Sequence, residues 1–229
     1  KDGTLRRLND LHFAHAARLS AIDAGTLIER INTLLPKLKP HFVEAEQVSG
    51  FDWRLVAAVG YQESHWDPLA TSPTGVRGLM MLTEETADRL RVKDRLDARE
   101  SILGGARYLG LLADTLPARI AEPDRTYLAL AAYNLGIGHL EDARILAQRR
   151  GLSPDKWQDV KLALPGLTDP ESYQKLKHGF ARGHEAMQFV DNVRNFHDIL
   201  SRIAPRDGPL APRPAPAPQG STKGSVASR

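Results

Sequence analysis

Glu63 is the strongest candidate for a catalytic acid or base in this sequence, because its spacing from two apolar residues places it on the apolar face of a predicted helix. In the run FDWRLVAAVGYQESHWDP, Leu55, Val59 and Glu63 follow one another at intervals of four residues. This spacing puts the carboxyl group on the apolar face of a predicted helix, within its last turn. Burial disfavours the charged form of a carboxyl, and the negative end of the helix dipole acts in the same direction. A carboxyl in this position can stay protonated near neutral pH and act as a general acid.

Two later segments could form the walls of a cleft beside this carboxyl. The run ATSPTGVRGLMMLTEETA contains a predicted turn at Ser72 and Pro73, and Gly78 permits close approach of another backbone. The run LALAAYNLGIGHL places Tyr133 and Asn134 at a helix end, where a ring and an amide could stack on and hydrogen-bond a sugar. Taken singly, the first segment is better explained as an ordinary connector and the second as a core tyrosine with a helix stop.

Together, the three segments resemble the lysozyme-like domain of the family 1 lytic transglycosylases, a family related to the goose-type lysozymes. The matching motifs are Glu63-Ser64, the run SPTGVRGLM that begins at Ser72, and Ala132-Tyr133-Asn134 followed by Gly136. The runs that resemble the subgroup of membrane-bound lytic transglycosylase F are YQESHWDP, SPTGVRGLMML, GGARYL, AAYNLGIGHLEDAR and ARGHEA. The resemblance covers residues 25–203 in order. It implies an all-α, lysozyme-like fold with a substrate cleft.

The resemblance also implies roles for individual residues. It makes Glu63 the catalytic acid and base, and it places Ser72 in contact with substrate near the scissile bond. Tyr133 matches a tyrosine close to the catalytic carboxyl, and Glu185 matches a glutamate behind the site. The other residues implied to bind substrate are Ser64, Met80, Met81, Asn134 and Phe189. Two of these depart from the family pattern, because Met81 stands where a glutamine is common and Phe189 where a tyrosine is usual. Each departure removes a hydrogen-bonding group from the cleft.

The implied activity is cleavage of the β-1,4 bond between N-acetylmuramic acid and N-acetylglucosamine in peptidoglycan, with formation of 1,6-anhydro ends. Most glycosidases use two carboxylates, but no second acid has a comparable motif, since Asp52 is a predicted helix cap and Asp67 a predicted turn residue. A hydrolase of the same fold and a peptidoglycan-binding module with weak or no activity are the alternatives. The presence of both Glu63 and Ser72 argues against the module.

Composition limits the partners and the chemistry. The chain has 229 residues, a formal net charge of +3 and a pI near 9.2. This mild excess favours an anionic polymer, and acids beside the basic runs disfavour a nucleic-acid partner. The sequence has no cysteine for a thiolate site. We expect no metal and no cofactor, since no metal-ligand pattern is formed by His139, His178, His184 and His197.

The elements that must position these residues are predicted to be helices, with no convincing strand. Candidate helix starts are Asp23 or Thr26, Asp52, Thr83, Asp97 with Glu100, Asp124, and Ser153 with Pro154. Gly136 is a predicted helix end, and Pro36 and Pro40 are expected to break or kink an early helix. Apolar spacing predicts a long final helix containing Met187, Phe189, Val190, Val193, Phe196, Ile199, Leu200 and Ile203.

We expect three regions along the chain. Residues 1–22 resemble the end of a solute-binding domain, which would be an N-terminal regulatory module, followed by a linker. Residues 23–204 form the catalytic domain. Residues 205–229 are rich in Pro, Ala and Ser, which predicts a disordered tail. No apolar run approaches the roughly 20 residues that span a bilayer. The resemblance implies a monomer in the periplasm of a Gram-negative bacterium, peripheral to the outer membrane, with glycan strands as its partner.

Overall fold

The chain is a bundle of α-helices of unequal length. The computed structural model describes residues 21–205 and residue 208. Its helices are α1 (Ala21–Thr33), α2 (Leu35–Ser49), α3 (Trp53–Ser64), α4 (Glu84–Arg89), α5 (Ala98–Thr115), α6 (Asp124–Leu135), α7 (Ile137–Arg149), α8 (Trp157–Ala163), a 3-10 turn (Leu164–Leu167), α9 (Pro170–Tyr173) and α10 (Gly183–Ile203). The described residues contain isolated bridges but no strand. The predicted all-α class is therefore confirmed.

Local sequence signals set the starts of the helices that surround the site. The helices α3, α4 and α5 are capped as predicted, because the side-chain oxygens of Asp52, Thr83 and Asp97 each accept a first-turn N–H of the helix that follows. The Glu100 carboxylate accepts the N–H groups of Lys93 and Asp94, at 2.6 and 3.0 Å, and not that of Asp97. Glu100 therefore fixes the loop before α5.

Two predicted helix starts are wrong, and packing explains one of them. Helix α6 does start at Asp124, as predicted, and the Asp124 carboxylate accepts the N–H of Trp157 at 2.8 Å, which joins α6 to α8. Ser153 with Pro154 does not begin a helix. Its hydroxyl accepts the N–H of Asp155 in a turn, and α8 starts at the fully buried Trp157.

At the N-terminal end, helix is present already at Ala21, before both predicted starts, Asp23 and Thr26. Pro36 lies in the first turn of α2, where a missing N–H costs nothing, so it separates α1 from α2 as predicted. Pro40 lies inside α2, which continues past it to Ser49.

Helix α3 occupies the centre of the bundle. Residues 55–61 of α3 are all buried, and the helix packs against α2 and α10. Helix α5 packs against α2 and α6, and the long final helix α10 packs against both α3 and α6. The apolar face of α10 is buried as predicted, through Phe189, Val190, Val193, Phe196 and Leu200. The residue at the end of α3 is thus held by the most enclosed element of the fold.

The expectations for the two chain ends fall almost entirely outside the described residues. Of residues 1–22, the structure describes only residues 21 and 22, and of residues 205–229 only Pro205 and Gly208. Among the helices that the structure describes, none is long and apolar enough to cross a membrane.

Candidate active site

Glu63 lies in the last turn of α3, which places its carboxyl at the edge of the core. The helix ends abruptly because His65 and Trp66 both take left-handed backbone conformations, with φ of 53° and 62°. The Trp66 ring is fully buried, and its indole N–H donates to the carbonyl of Ala57 at 2.7 Å. This turn locks the end of α3, so the position of Glu63 is set by the core and not by a loop.

The Glu63 side chain is half-buried and faces a cavity of about 360 Å³. This volume lies within the range of about 300–1,000 Å³ that is typical of ligand pockets. The cavity is lined by Glu63, Val76, Met81, Leu82, Thr83, Thr86, Tyr108, Tyr133, Asn134, Leu135 and Gly136. Among these lining residues, Glu63 carries the one carboxyl group. The others offer aromatic rings, hydroxyls and one amide, which are groups that suit an uncharged polar ligand such as a sugar.

One wall of the cavity is the loop between α3 and α4. Ser72 holds this loop, since its hydroxyl accepts the N–H groups of Thr74 and Val76 at 3.2 and 3.3 Å. Gly78 has a φ of +81° and packs against the backbone of Arg95, where a Cβ would lie 1.7 Å from the carbonyl oxygen. The predicted close approach at this glycine is therefore confirmed.

The same loop is joined directly to the end of α3. The hydroxyl of Ser64 donates to the carbonyl of Leu79 at 2.8 Å. Met80 is fully buried, and its N–H donates to the hydroxyl of Ser101 on α5. Met81 follows with a left-handed φ of 48° and lines the cavity. Ser64 and Met80 thus position the wall, whereas Met81 faces the ligand space.

The opposite wall is built on aromatic stacking. The ring of Tyr133 lies parallel to that of Phe189 on α10, with centroids 6.2 Å apart, and is tilted against Tyr108 at 5.3 Å. The Tyr133 hydroxyl donates to the carbonyl of Met80 at 2.9 Å, so it connects the two walls. Burial raises the pKa of this hydroxyl well above its ordinary value, and the nearby Glu63 carboxyl acts in the same direction. Tyr133 is therefore a neutral hydrogen-bond donor and not a base.

The cavity changes the acidity of Glu63. Burial among the cavity walls raises the pKa of this carboxyl from 4.5 to about 8. The negative end of the α3 dipole favours the same, protonated form. At neutral pH the cavity therefore presents a proton donor to whatever it binds.

The predicted site residues fall into three groups. Those lining the cavity are Glu63, Met81, Tyr133 and Asn134. Those packed behind its walls are Ser64, Met80 and Phe189. The remaining two, Ser72 and Glu185, do not line it. Glu185 lies in the first turn of α10, where its side chain is 61% exposed and pairs with Arg182 at 3.4 Å.

Tyr108 and Thr86 line the cavity but were not predicted as site residues. Tyr108 belongs to the run GGARYL, and an aromatic residue with a polar end among the small residues of α5 was the available signal. Thr86 gave no such signal. No cluster of three potential metal-ligating His, Asp or Glu side chains occurs within the described residues.

The chain is similar in sequence to known proteins. A family model described as "Transglycosylase SLT domain" matches residues 40–155. A curated relative from Thiobacillus denitrificans, named "Membrane-bound lytic murein transglycosylase F", is 60% identical over 91% of this chain and 44% of its own length. A relative of the same name from Nitrosospira multiformis is 58% identical over 90% of this chain and 43% of its length. The chain thus spans less than half of either relative.

A solved structure is also similar. It is an inactive mutant of lytic transglycosylase Slt from Pseudomonas aeruginosa, with a TM-score of 0.52 and 21% sequence identity, covering 76% of this chain and 25% of that one. This similarity shows the fold, which is the helical, lysozyme-like fold predicted from the sequence.

Proposed function

Because the chain belongs to the transglycosylase SLT domain family, we propose that it cleaves the glycan strands of peptidoglycan as a lytic transglycosylase. The observation that carries the proposal is Glu63, a single carboxyl in a sugar-sized cavity, with a pKa raised to about 8. The names of the relatives, which are lytic murein transglycosylases, support peptidoglycan as the substrate.

Glu63 acts twice in the proposed reaction. As an acid, it donates its proton to the glycosidic oxygen between N-acetylmuramic acid and N-acetylglucosamine, and the C1–O bond breaks. The acetamido oxygen of the muramoyl residue stabilises the positive charge at C1. As a carboxylate, Glu63 then takes the proton of the C6 hydroxyl of the same sugar, whose oxygen bonds to C1. The product is a 1,6-anhydro end, Glu63 regains its proton, and no water is consumed.

The absence of a second lining carboxyl favours this route over hydrolysis. An inverting hydrolase needs a base about 6.5–9.5 Å from the acid to activate water, and Glu63 is the one carboxyl among the described residues that line the cavity. The C6 hydroxyl needs no such base, because it belongs to the substrate and is present at high effective concentration.

The proposed substrate contacts follow the walls of the cavity. Met81, Tyr133 and Asn134 contact the sugars directly, while Ser64, Met80 and Phe189 position the walls. Ser72 contacts substrate only if the strand extends from the cavity along the loop that its hydroxyl holds. Glu185 is the least supported member of the proposed site, because it is exposed and paired with Arg182.

We also propose where the catalytic unit begins and ends, and where it works. Residues 23–204 form the proposed unit, and its C-terminal end is supported by α10, which ends at Ile203, whereas α1 already begins before residue 23. The word "membrane-bound" in the names of the relatives supports a location in the periplasm, peripheral to the outer membrane.

The products of digestion test the proposal. Purified peptidoglycan is digested in heavy-oxygen water and the fragments are weighed by mass spectrometry. We expect 1,6-anhydromuramoyl ends, lighter than reducing ends by one water and without label. Mainly labelled reducing ends would establish a hydrolase, and no fragments at all would indicate a binding module.

Two variants test the role of the acid. Glu63→Gln should release no fragments above background, because an amide cannot donate the proton. The matched control is Glu85→Gln, which removes an exposed carboxyl on α4, close to the cavity wall. It should cleave like the unmodified protein. Substantial cleavage by Glu63→Gln would refute the assignment of the acid.

A further inference from the structure

An aromatic pair lies outside the cavity, formed by the half-buried Tyr173 at the end of α9 and the exposed Phe180 in the segment between α9 and α10. Phe180 is 56% exposed, and it is the one aromatic residue among the large apolar residues that are exposed in the described part of the chain. Tyr173 meets it edge to face, with ring centroids 5.8 Å apart. Neither residue lines the cavity around Glu63. The pair therefore takes no part in the proposed reaction at Glu63.

The segment that carries Phe180 is anchored to the core and is not a loose loop. The carboxylate of Asp142, which is almost completely buried, accepts the N–H groups of Lys177 and His178 at 3.3 and 2.8 Å. The N–H of Ala181 donates to the carbonyl of Leu167 at 3.0 Å. Phe180 thus lies between two anchored points. A ring held in this way loses little conformational freedom when a ligand packs on it.

The anchored segment is continuous with one wall of the cavity. The ring of His178 lies directly against Gly138 in the first turn of α7, where a Cβ would be 2.7 Å from the ring. It also meets the ring of His139 at 5.8 Å. Gly136, two residues before Gly138, lines the cavity itself. The anchored segment therefore packs against the first turn of α7, the helix that directly follows the cavity-lining Gly136.

We infer that Tyr173 and Phe180 form a second binding site for peptidoglycan, in which a sugar ring outside the cavity packs on the exposed Phe180, with the half-buried Tyr173 beside it. The inference rests on the proposed function, because the ligand is the same glycan strand whose bond lies beside Glu63. The C–H groups on one face of a pyranose ring form an apolar surface, which can pack on an exposed aromatic ring. The exposed Lys175 and Lys177 beside the pair suit the carboxylates of the stem peptides.

Strand length should reveal the second site. Long glycan strands reach both the cavity and the aromatic pair, whereas a short muropeptide occupies the cavity alone. For Phe180→Ala we expect the ratio of kcat/KM on long strands to kcat/KM on the short substrate to fall about three- to tenfold, the size of one lost aromatic contact. Phe180→Trp should restore most of the ratio. The control is Leu162→Ala, since Leu162 on α8 is similarly exposed, at 63%, and its replacement should leave the ratio unchanged.

A binding measurement separates this inference from the proposed function. Protein carrying Glu63→Gln is sedimented with intact sacculi, with and without Phe180→Ala, and the bound fraction is measured. We expect Phe180→Ala to weaken binding and Leu162→Ala to have no effect. If Phe180→Ala and Leu162→Ala have the same effect on the kcat/KM ratio and on binding to sacculi, the second site is refuted. The proposed cleavage at Glu63 would not be affected by that result. If the unmodified protein binds sacculi through Phe180 but releases no fragments, the proposed function fails and the site stands.

Discussion

Replacing Glu63 by glutamine should stabilise the folded protein as well as stop cleavage. The two side chains have nearly the same size, but only the carboxyl can ionise. In the unfolded chain the Glu63 carboxyl has its ordinary pKa of 4.5, and in the folded protein burial raises the pKa to about 8. At pH 7 folding therefore requires the uptake of a proton. Each pH unit between 4.5 and 7 lowers the free energy of unfolding by about 1.4 kcal/mol, which amounts to about 3 kcal/mol at pH 7.

The size of this gain in stability depends on pH, whereas the effect of a simple packing change would not. A carboxyl with a raised folded-state pKa supports folding fully below pH 4.5, and this support is lost as the pH rises through about 8. Glu63→Gln should therefore match the unmodified protein at pH 4. It should gain up to about 3 kcal/mol in the free energy of unfolding at pH 7, or about 6–12 °C in Tm. Above pH 8 the gain should level off at about 5 kcal/mol.

Urea unfolding at pH 4, 7 and 9 measures these differences. Glu85→Gln is the control, because its carboxyl is exposed and the replacement should change stability by less than about 0.5 kcal/mol at each pH. A gain that is equal at pH 4 and pH 9 would refute the reasoning, and so would a loss of stability at pH 7. Either result would mean that water or a partner already stabilises the ionised Glu63 carboxyl.

Three further predictions concern the site and the elements that hold it. Cleavage should decline as the pH rises through about 8, because Glu63 loses the proton that it donates; a pH profile of kcat/KM without a decline up to pH 10 would contradict this. Gly78→Ala should lower the free energy of unfolding by more than about 3 kcal/mol or prevent folding, because its Cβ would overlap a backbone carbonyl. Gly75 has the same φ of +81° but no neighbour within 4 Å, so Gly75→Ala should lower it by only about 1–2 kcal/mol in the same urea titration. Asp52→Ala should lower the free energy of unfolding by about 1–2 kcal/mol through loss of the α3 cap, and thermal melts should show a smaller loss for Asp52→Asn, which keeps a capping oxygen.

The parts of the site that could be predicted are those fixed by local sequence. Glu63 follows from a helix whose cap, apolar face and end all lie within residues 52–66, and the structure has each of them. The Gly78 approach follows from one residue type in one turn. These features depend on interactions over a few positions, which a sequence pattern records directly.

The parts that could not be predicted depend on how distant segments pack. Tyr108 and Thr86 become neighbours of Glu63 only when α4 and α5 close over the end of α3. The start of α8 moved from Ser153 to Trp157 because tertiary contacts outweighed a good local cap. Such outcomes are decided by contacts between residues far apart in the chain, and spacing within one segment carries no information about them.

The enclosure of α3 by its neighbours gives different parts of the molecule different freedom to diverge. Substitutions along residues 55–61 disturb a core that is packed on every side, so most of them cost stability. Substitutions at the exposed residues 73 and 74 of the loop tip, or at Phe180 on the anchored segment, change surface that is already exposed, and their cost is small. Under the proposed function, selection can therefore alter which glycan strands are bound while Glu63 stays where the core holds it. Relatives with different glycan preferences should then differ mainly on these outer segments.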